Sequence, residues 1–245
     1  MAEQVELRVR LVGRTGFISP DGVPFDTEAD GGQALAEFAG RACYQSWEKA
    51  VPATATNAGF LEHVLTVGHL SVLEHASVTF YLTGISRGAA HELIRHRHFS
   101  VSQLSPRAPA QGFVAPADLA ADQVERFAAA VDTAGRAYRD LLADLQSDAG
   151  DTPGSVVRRK QARQAAAGLV PAAAATALVV TGNYRSWRHF IGTRATDAAD
   201  VELRTLAVTV LDLLLVEAPH VFADFRISTL PDGSRTAASP LVGEG

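Results

Sequence analysis

From Asp122 to Leu145 the residues Val124, Phe127, Val131, Ala134, Tyr138, Leu141 and Leu145 recur at alternating spacings of three and four. That repeat keeps one apolar stripe on one side of an α-helix and predicts a long amphipathic helix over the whole stretch. A helix of this length must be covered along its stripe, which constrains everything packed around it. The chain also carries the other period: Val5, Leu7, Val9 and Leu11 alternate with polar residues in "VELRVRLVG", and Val78, Phe80 and Leu82 do so in "SVTFYLTG". Both segments predict half-buried strands.

Helices are predicted for "GGQALAEFAGRACYQSW" and for "NAGFLEHVLTVGH", the second capped by Asn57, and for Ile85 to Arg97, followed by a Ser/Gln/Pro-rich loop. After a break at "SDAGDTPGS", the basic segment "VVRRKQARQAAAGLV" predicts a helix ending by Pro171, because proline lacks the helix donor and disfavours helix at the residue before it. "TALVVTGN" then predicts a strand, "YRSWRHFIGTRA" a second basic helix and "DVELRTLAVTVLDLLLVEA" a core-facing helix. From "TLPDGS" onward there is little to bury. The expectation is a single domain over residues 1–230 and a frayed tail over 231–245.

A formal net charge of -5 over 245 residues argues against a protein that coats a nucleic-acid polymer, which needs a broad basic face. Yet "RHRHFSVSQLSPRAP", from Arg95 to Pro109, concentrates positive charge. A local cluster in an acidic chain suits a small anion. No run of eighteen apolar residues predicts a membrane span, and a single cysteine with no apolar leader points to the cytoplasm.

Metal chelation by "HELIRH" is disfavoured: His91 and His96 are five apart, roughly 140° around a helix, where the zinc-protease pair is four apart and roughly 40° off alignment. Neither GxGxxG nor GxxxxGK[ST] occurs, so bound phosphates must be held by side chains. Arg95, Arg97 and Arg107 offer forked, permanent charges, and Ser100 and Ser105 add hydroxyls. "RRKQAR" at 158–163 and the group Arg185, Arg188, His189 and Arg194 extend the basic surface, with Tyr184, Trp187 and Phe190 available to border a planar ligand. A covalent nucleophile is disfavoured, since Ser105 lacks an adjacent base and Cys43 reads as a small buried residue. These residues alone lead to an enzyme or binding module for a phosphorylated, aromatic small molecule.

"RHRHFSVSQLSPR" resembles the signature of the flavin-dependent thymidylate synthases: Arg95-His96-Arg97, seven residues, then Ser105, followed by Arg107. "GGQALAEFAGRACYQSW", "GHLSVLEHASVTFYLTGISR", "RRKQARQAA", "VVTGNYRSWRHFI" and "ADVELR" are similar to that family in the same order. The resemblance implies an α+β fold, a central sheet with long helices, in a homotetramer whose flavin and nucleotide sites are shared between subunits. It implies FAD contacts from His69, Ser71, Arg95, His96, Arg97, Gln103, Asn183, Tyr184, Arg185 and His189. A pyrimidine nucleotide would be held by Glu92, Leu93, Ile94 and Arg95 and by Gln103, Leu104, Ser105, Pro106 and Arg107, with Arg194 as the catalytic residue. NADPH and methylenetetrahydrofolate are the implied co-substrates, and no metal is implied.

The chain departs from the family pattern at Ala108, where a tyrosine follows the arginine, at Ala167, where an arginine reaches the nucleotide, and at Ala198, where many members carry a histidine. Arg163, one turn before Ala167, offers a replacement charge. Small residues at nucleotide-proximal positions make room for a ribose 2′-hydroxyl. The expectation is C5-methylation of UMP as well as, or instead of, dUMP, as in some members that serve nucleoside-antibiotic pathways. The alternatives are a strictly dUMP-specific thymidylate synthase and a non-catalytic flavoprotein or nucleotide sensor.

Overall fold

A computed structural model describes residues 3–105, 112–147 and 155–242. Strand β1 (Arg8–Arg14) alternates half-buried and exposed residues as its sequence predicts, although it starts three residues late. Helices α1 (Gly31–Tyr44) and α2 (Asn57–Val67) follow. The cap of α2 is Thr56, whose hydroxyl accepts from the Gly59 N–H at 3.2 Å, and not Asn57. Asn57 is instead fully buried, with its Nδ2 donating to Gln33 O and Glu37 Oε2.

Strand β2 (Ser77–Ser86) buries Val78, Phe80, Leu82 and Ile85. It runs into α3 (Arg87–Ile94), which is shorter at both ends than the helix expected over Ile85 to Arg97. The reason for its start is Ser86, whose hydroxyl accepts from the Ala89 N–H at 3.0 Å and closes the first turn. The Ser/Gln-rich stretch expected as loop contains β3 (Ser100–Gln103), continued by a bond from Leu104 N to Ala177 O at 2.8 Å.

The predicted long helix is α4 (Ala121–Ser147), and α5 (Ser155–Ala166) packs against it. No residue of α4 is buried, so its apolar stripe is only partly covered. Strand β4 (Ala175–Asn183) leads into α6 (Tyr184–Arg194), and α7 (Val201–Glu217) supplies a long buried face including Leu203, Leu206, Leu211 and Leu214. A short helix α8 (Pro219–Phe222) precedes β5 (Arg226–Thr229) and β6 (Arg235–Ala238). The architecture is α+β: a four-stranded sheet in the order β1-β2-β4-β3, and an antiparallel pair in which Ile227 faces Ala237.

The β5-β6 pair corrects the expected frayed tail up to residue 242; residues 243–245 of that expectation lie outside the described residues. Ala237 is buried, and its N–H donates to Ala195 O at 2.9 Å. Backbone pairing fixes a segment whose side chains predict little.

Internal contacts gather the chain into two compact units. The first comprises Met1–Arg8, Leu82–Arg95 and Ser102–Leu178; the second Val9–Tyr81, His96–Val101 and Val179–Gly245. The first unit is built on Leu93, Phe113, Ala162 and Ala166. In the second, Trp187 is buried between Phe80 and Phe99, with ring centroids at 5.1 and 4.3 Å, and its indole N–H donates to Val78 O. Among the described residues no helix is long and apolar enough to cross a membrane.

Candidate functional site

Helix α6 organises the site in the second unit. Asn183 caps it, its Oδ1 accepting from the Ser186 N–H at 2.8 Å, so the helix starts at a fixed point. From there the side chains divide by period. Tyr184, Trp187, Arg188, Phe190 and Ile191 are buried, while Arg185 and His189, four apart, share the outer face. The aromatic residues considered as borders for a planar ligand are therefore core. Tyr184 packs on Phe222, and burial, with the nearby Glu217 charge, pushes its hydroxyl well above the ordinary range, so it stays neutral. Any contact from Tyr184 to a ligand falls to its backbone.

Asn183, Arg185 and His189 line a cavity of about 600 Å³ together with Glu74, His98, Leu241 and Val242. Arg185 pairs with Glu74 at 2.6 Å, but both are half exposed, so the pair orients the guanidinium more than it stabilises the fold. Beside it, His69 and Ser71 line a larger cavity of about 1130 Å³ with Tyr44, Trp47, Lys49 and His63. Leu70 and Arg185 border both cavities. Cys43 also lines the larger one; it is exposed, not buried as expected.

At the far end of α6 the Arg194 Nε donates to His96 Nε2 at 3.1 Å. Accepting at Nε2 requires a neutral imidazole with its proton on Nδ1. The His96 ring rests on Phe190, centroids 5.1 Å apart, and lies 6.1 Å from His189. A permanent cation is thus held by a histidine that is itself seated on the core.

The loop after α1 shapes the larger cavity and is pinned from inside. Gln45 and Lys49 adopt left-handed φ of 51° and 49°, uncommon for residues with a Cβ. Buried Arg41 donates to Ser46 O and Thr54 O and to Glu37 Oε1, the last at 2.7 Å. Glu37 is fully buried and also accepts from Asn57 Nδ2 and Thr27 Oγ1. On the other side of α6, Arg188 donates twice to Asp224, at 2.6 and 2.7 Å. Burial alone would raise the Asp224 carboxyl; the bonds and charge of Arg188, with Ser239, outweigh it and hold it below the ordinary carboxylate range. The stability this contributes is present above the usual carboxylate pKa and is lost as pH falls through the depressed value.

The structure therefore brings His69, Ser71, His96, Asn183, Arg185, His189 and Arg194 together in one unit. Arg97 belongs to that unit too and is exposed. Glu92, Leu93, Ile94, Arg95, Gln103, Leu104 and Ser105 belong to the other. There Arg95 pairs with Glu92 at 3.1 Å, the Leu93 side chain is buried, and Gln103 Nε2 reaches Thr176 Oγ1 at 3.5 Å. Pro106, Arg107 and Ala108 lie outside the described residues. Ala167 opens a turn beyond α5, so Arg163 and Ala167 do not share one continuous helix face, and Ala198 is exposed. Tyr44, Trp47, Lys49, Leu241 and Val242 were not singled out by sequence; their place at the cavities depends on contacts distant in the chain.

A family model described as thymidylate synthase complementing protein matches residues 27–220. Flavin-dependent thymidylate synthases of Mycobacterium avium, Mycobacterium marinum and Mycobacterium tuberculosis are 57%, 55% and 55% identical, each alignment covering the whole of both chains. Among solved structures, a UMP/dUMP methylase, PolB, from Streptomyces cacaoi, bound with 5-Br dUMP, superposes with a TM-score of 0.66 at 18% identity, covering 89% of this chain and 93% of that one. At that identity the likeness is one of fold.

Proposed function

The chain belongs to the flavin-dependent thymidylate synthase family and is an enzyme of that type, and on that premise we propose that it methylates C5 of a uridine 5′-monophosphate reductively, accepting UMP as well as dUMP. The observation that carries this reading is the fixed cation: Arg194 is held at 3.1 Å by His96, whose ring lies 6.1 Å from that of His189, a residue lining the cavity with Asn183 and Arg185. When bound, FAD would supply the hydride that turns a methylene carbon from methylenetetrahydrofolate into a methyl group, and NADPH would restore it.

The residues present suit such a group. A cavity of about 600 Å³ lies in the range of small-molecule sites, and Arg185, His189 and Asn183 offer donors to the polar edge or phosphates of a planar ligand. C5 of uracil is a weak nucleophile, and its attack leaves negative charge on the N3/O4 side. The Arg194 guanidinium would stabilise that charge, and His96 keeps it aimed. The family resemblance assigns Glu92 to Arg95 and Gln103 to Arg107 to the nucleotide, with Ser105 and Arg107 near its phosphate.

Substrate breadth rests on Ala108, Ala167 and Ala198, which replace larger polar residues of the family pattern. A charged hydrogen bond of the kind lost at Ala167 is worth about 1.5–3 kcal/mol, roughly one to two decades in affinity. Its loss relaxes discrimination at the ribose. The expected result is release of tritium from C5 of both UMP and dUMP. Release from dUMP alone would establish strict specificity, and release from neither by flavin-loaded protein would establish a non-catalytic flavoprotein.

The same proposal includes assembly as a homotetramer with shared sites. What supports it is α4, twenty-seven residues long, whose apolar stripe contains no buried residue and has Leu141 exposed. A stripe of that length in an isolated subunit is cover for another.

A further inference from the structure

The end of the described chain folds into a tight turn that is tied to the rest of the second unit at two points, Asp224 and α6. Ser239 and Val242 bridge each other across a tight turn, and Ser239 Oγ accepts from the Leu241 N–H at 2.9 Å. The same hydroxyl donates to Asp224 Oδ2. Val242 sits against α6 where Gly192 leaves room: a Cβ at that position would meet Val242 Cγ1 at 2.5 Å. The result is that Leu241 and Val242 line the cavity formed by Asn183, Arg185 and His189.

The acceptor that Ser239 uses is not free to move. Asp224 takes two bonds from Arg188, which is 2% exposed, also donates to Val221 O, and stacks over Phe225 at 5.1 Å. Displacing the carboxylate would strand a buried guanidinium whose Nε has no hydrogen-bond partner among the described residues. Arg188 precedes His189 on α6, so the helix that presents His189 to the cavity also anchors the turn carrying Leu241 and Val242.

We infer that Ser239 and Asp224 are positioning residues for cofactor binding, holding Leu241 and Val242 as a wall of the flavin cavity. This rests on the reading above that the cavity takes the flavin. The wall excludes water from one side of the ligand, and its placement depends on one hydroxyl reaching one immobile carboxylate.

The test uses the full chain, stripped of flavin and titrated with FAD by fluorescence, with the melting temperature of each flavin-free protein measured alongside. Ser239→Ala is expected to weaken FAD about ten-fold or more, the scale of a hydrogen bond to a charged group, and Ser239→Thr to restore it. Val242→Ala, which leaves the latch intact and thins only the wall, is expected to weaken FAD and shift the visible spectrum of the bound flavin. Wild-type affinity in both Ser239→Ala and Val242→Ala would overturn the inference, as would failure of threonine to restore affinity in a protein that melts normally. If the wild-type chain itself binds no FAD, the proposed function falls first, and the two failures are told apart by that control.

Discussion

Arg194→Ala is expected to keep its flavin and lose methylation, with kcat falling about 10²–10³-fold, the loss that follows removal of one preorganised donor to developing charge. In the proposed reading the interaction matters most as charge builds on the uracil ring, so the loss is expected on kcat more than on nucleotide affinity. Arg194→Lys sharpens the point. It keeps a positive charge but removes the Nε that donates to His96 at 3.1 Å, so the cation is present and no longer aimed. Intermediate activity is expected from lysine, and steady-state and single-turnover rates with saturating dUMP check both variants. Undiminished turnover in Arg194→Ala would remove this residue from the mechanism.

Glu37→Ala is expected to be the most destabilising single change considered. It leaves Arg41, 2% exposed, without its carboxylate partner in the interior, and breaking a buried pair in this way costs about 3–5 kcal/mol. For a chain of this length that corresponds to a drop of about 6–20 °C in melting temperature. Asn57 and Thr27 lose an acceptor in the same step. Because Arg41 also holds Ser46 O and Thr54 O, the loop carrying Trp47 and Lys49 should loosen, and the larger cavity should lose definition. Glu37→Gln keeps an oxygen for Arg41 and is expected to lose less. A melting temperature within about 2 °C of wild type for Glu37→Ala would show that Arg41 finds water or another acceptor.

Much of the fold is legible from period alone. The spacing between Val124 and Leu145 predicts α4, and the alternation through Val78, Phe80 and Leu82 predicts β2. What escapes is decided by backbone or by single hydroxyls. Strand β3 is four residues long and pairs through its main chain, and β6 is held by Ala237 N–H and its pairing with β5. At α2, Thr56 and Asn57 are equally plausible caps by residue type; burial of Glu37 draws the Asn57 amide inward and leaves the cap to Thr56. The site divides the same way. Motif resemblance points to His69, Ser71, His96, Arg97, Asn183, Tyr184, Arg185, His189 and Arg194, which lie in the second unit, and to Arg95 and Gln103, which lie in the first. Trp187 and Phe190, read as borders of a ligand, fall on the inner face of α6, and Leu241 and Val242 reach the cavity through a latch that no local pattern announces.

The central claim is transfer of a one-carbon unit to C5 of a uridylate with the flavin as hydride source. It is tested most directly by supplying methylenetetrahydrofolate carrying a labelled methylene carbon, NADPH, FAD and either dUMP or UMP, and identifying the labelled nucleotide. The predicted result is a C5-methylated product from both nucleotides, formed only when the flavin is present. Consumption of NADPH with no label in any nucleotide would contradict it.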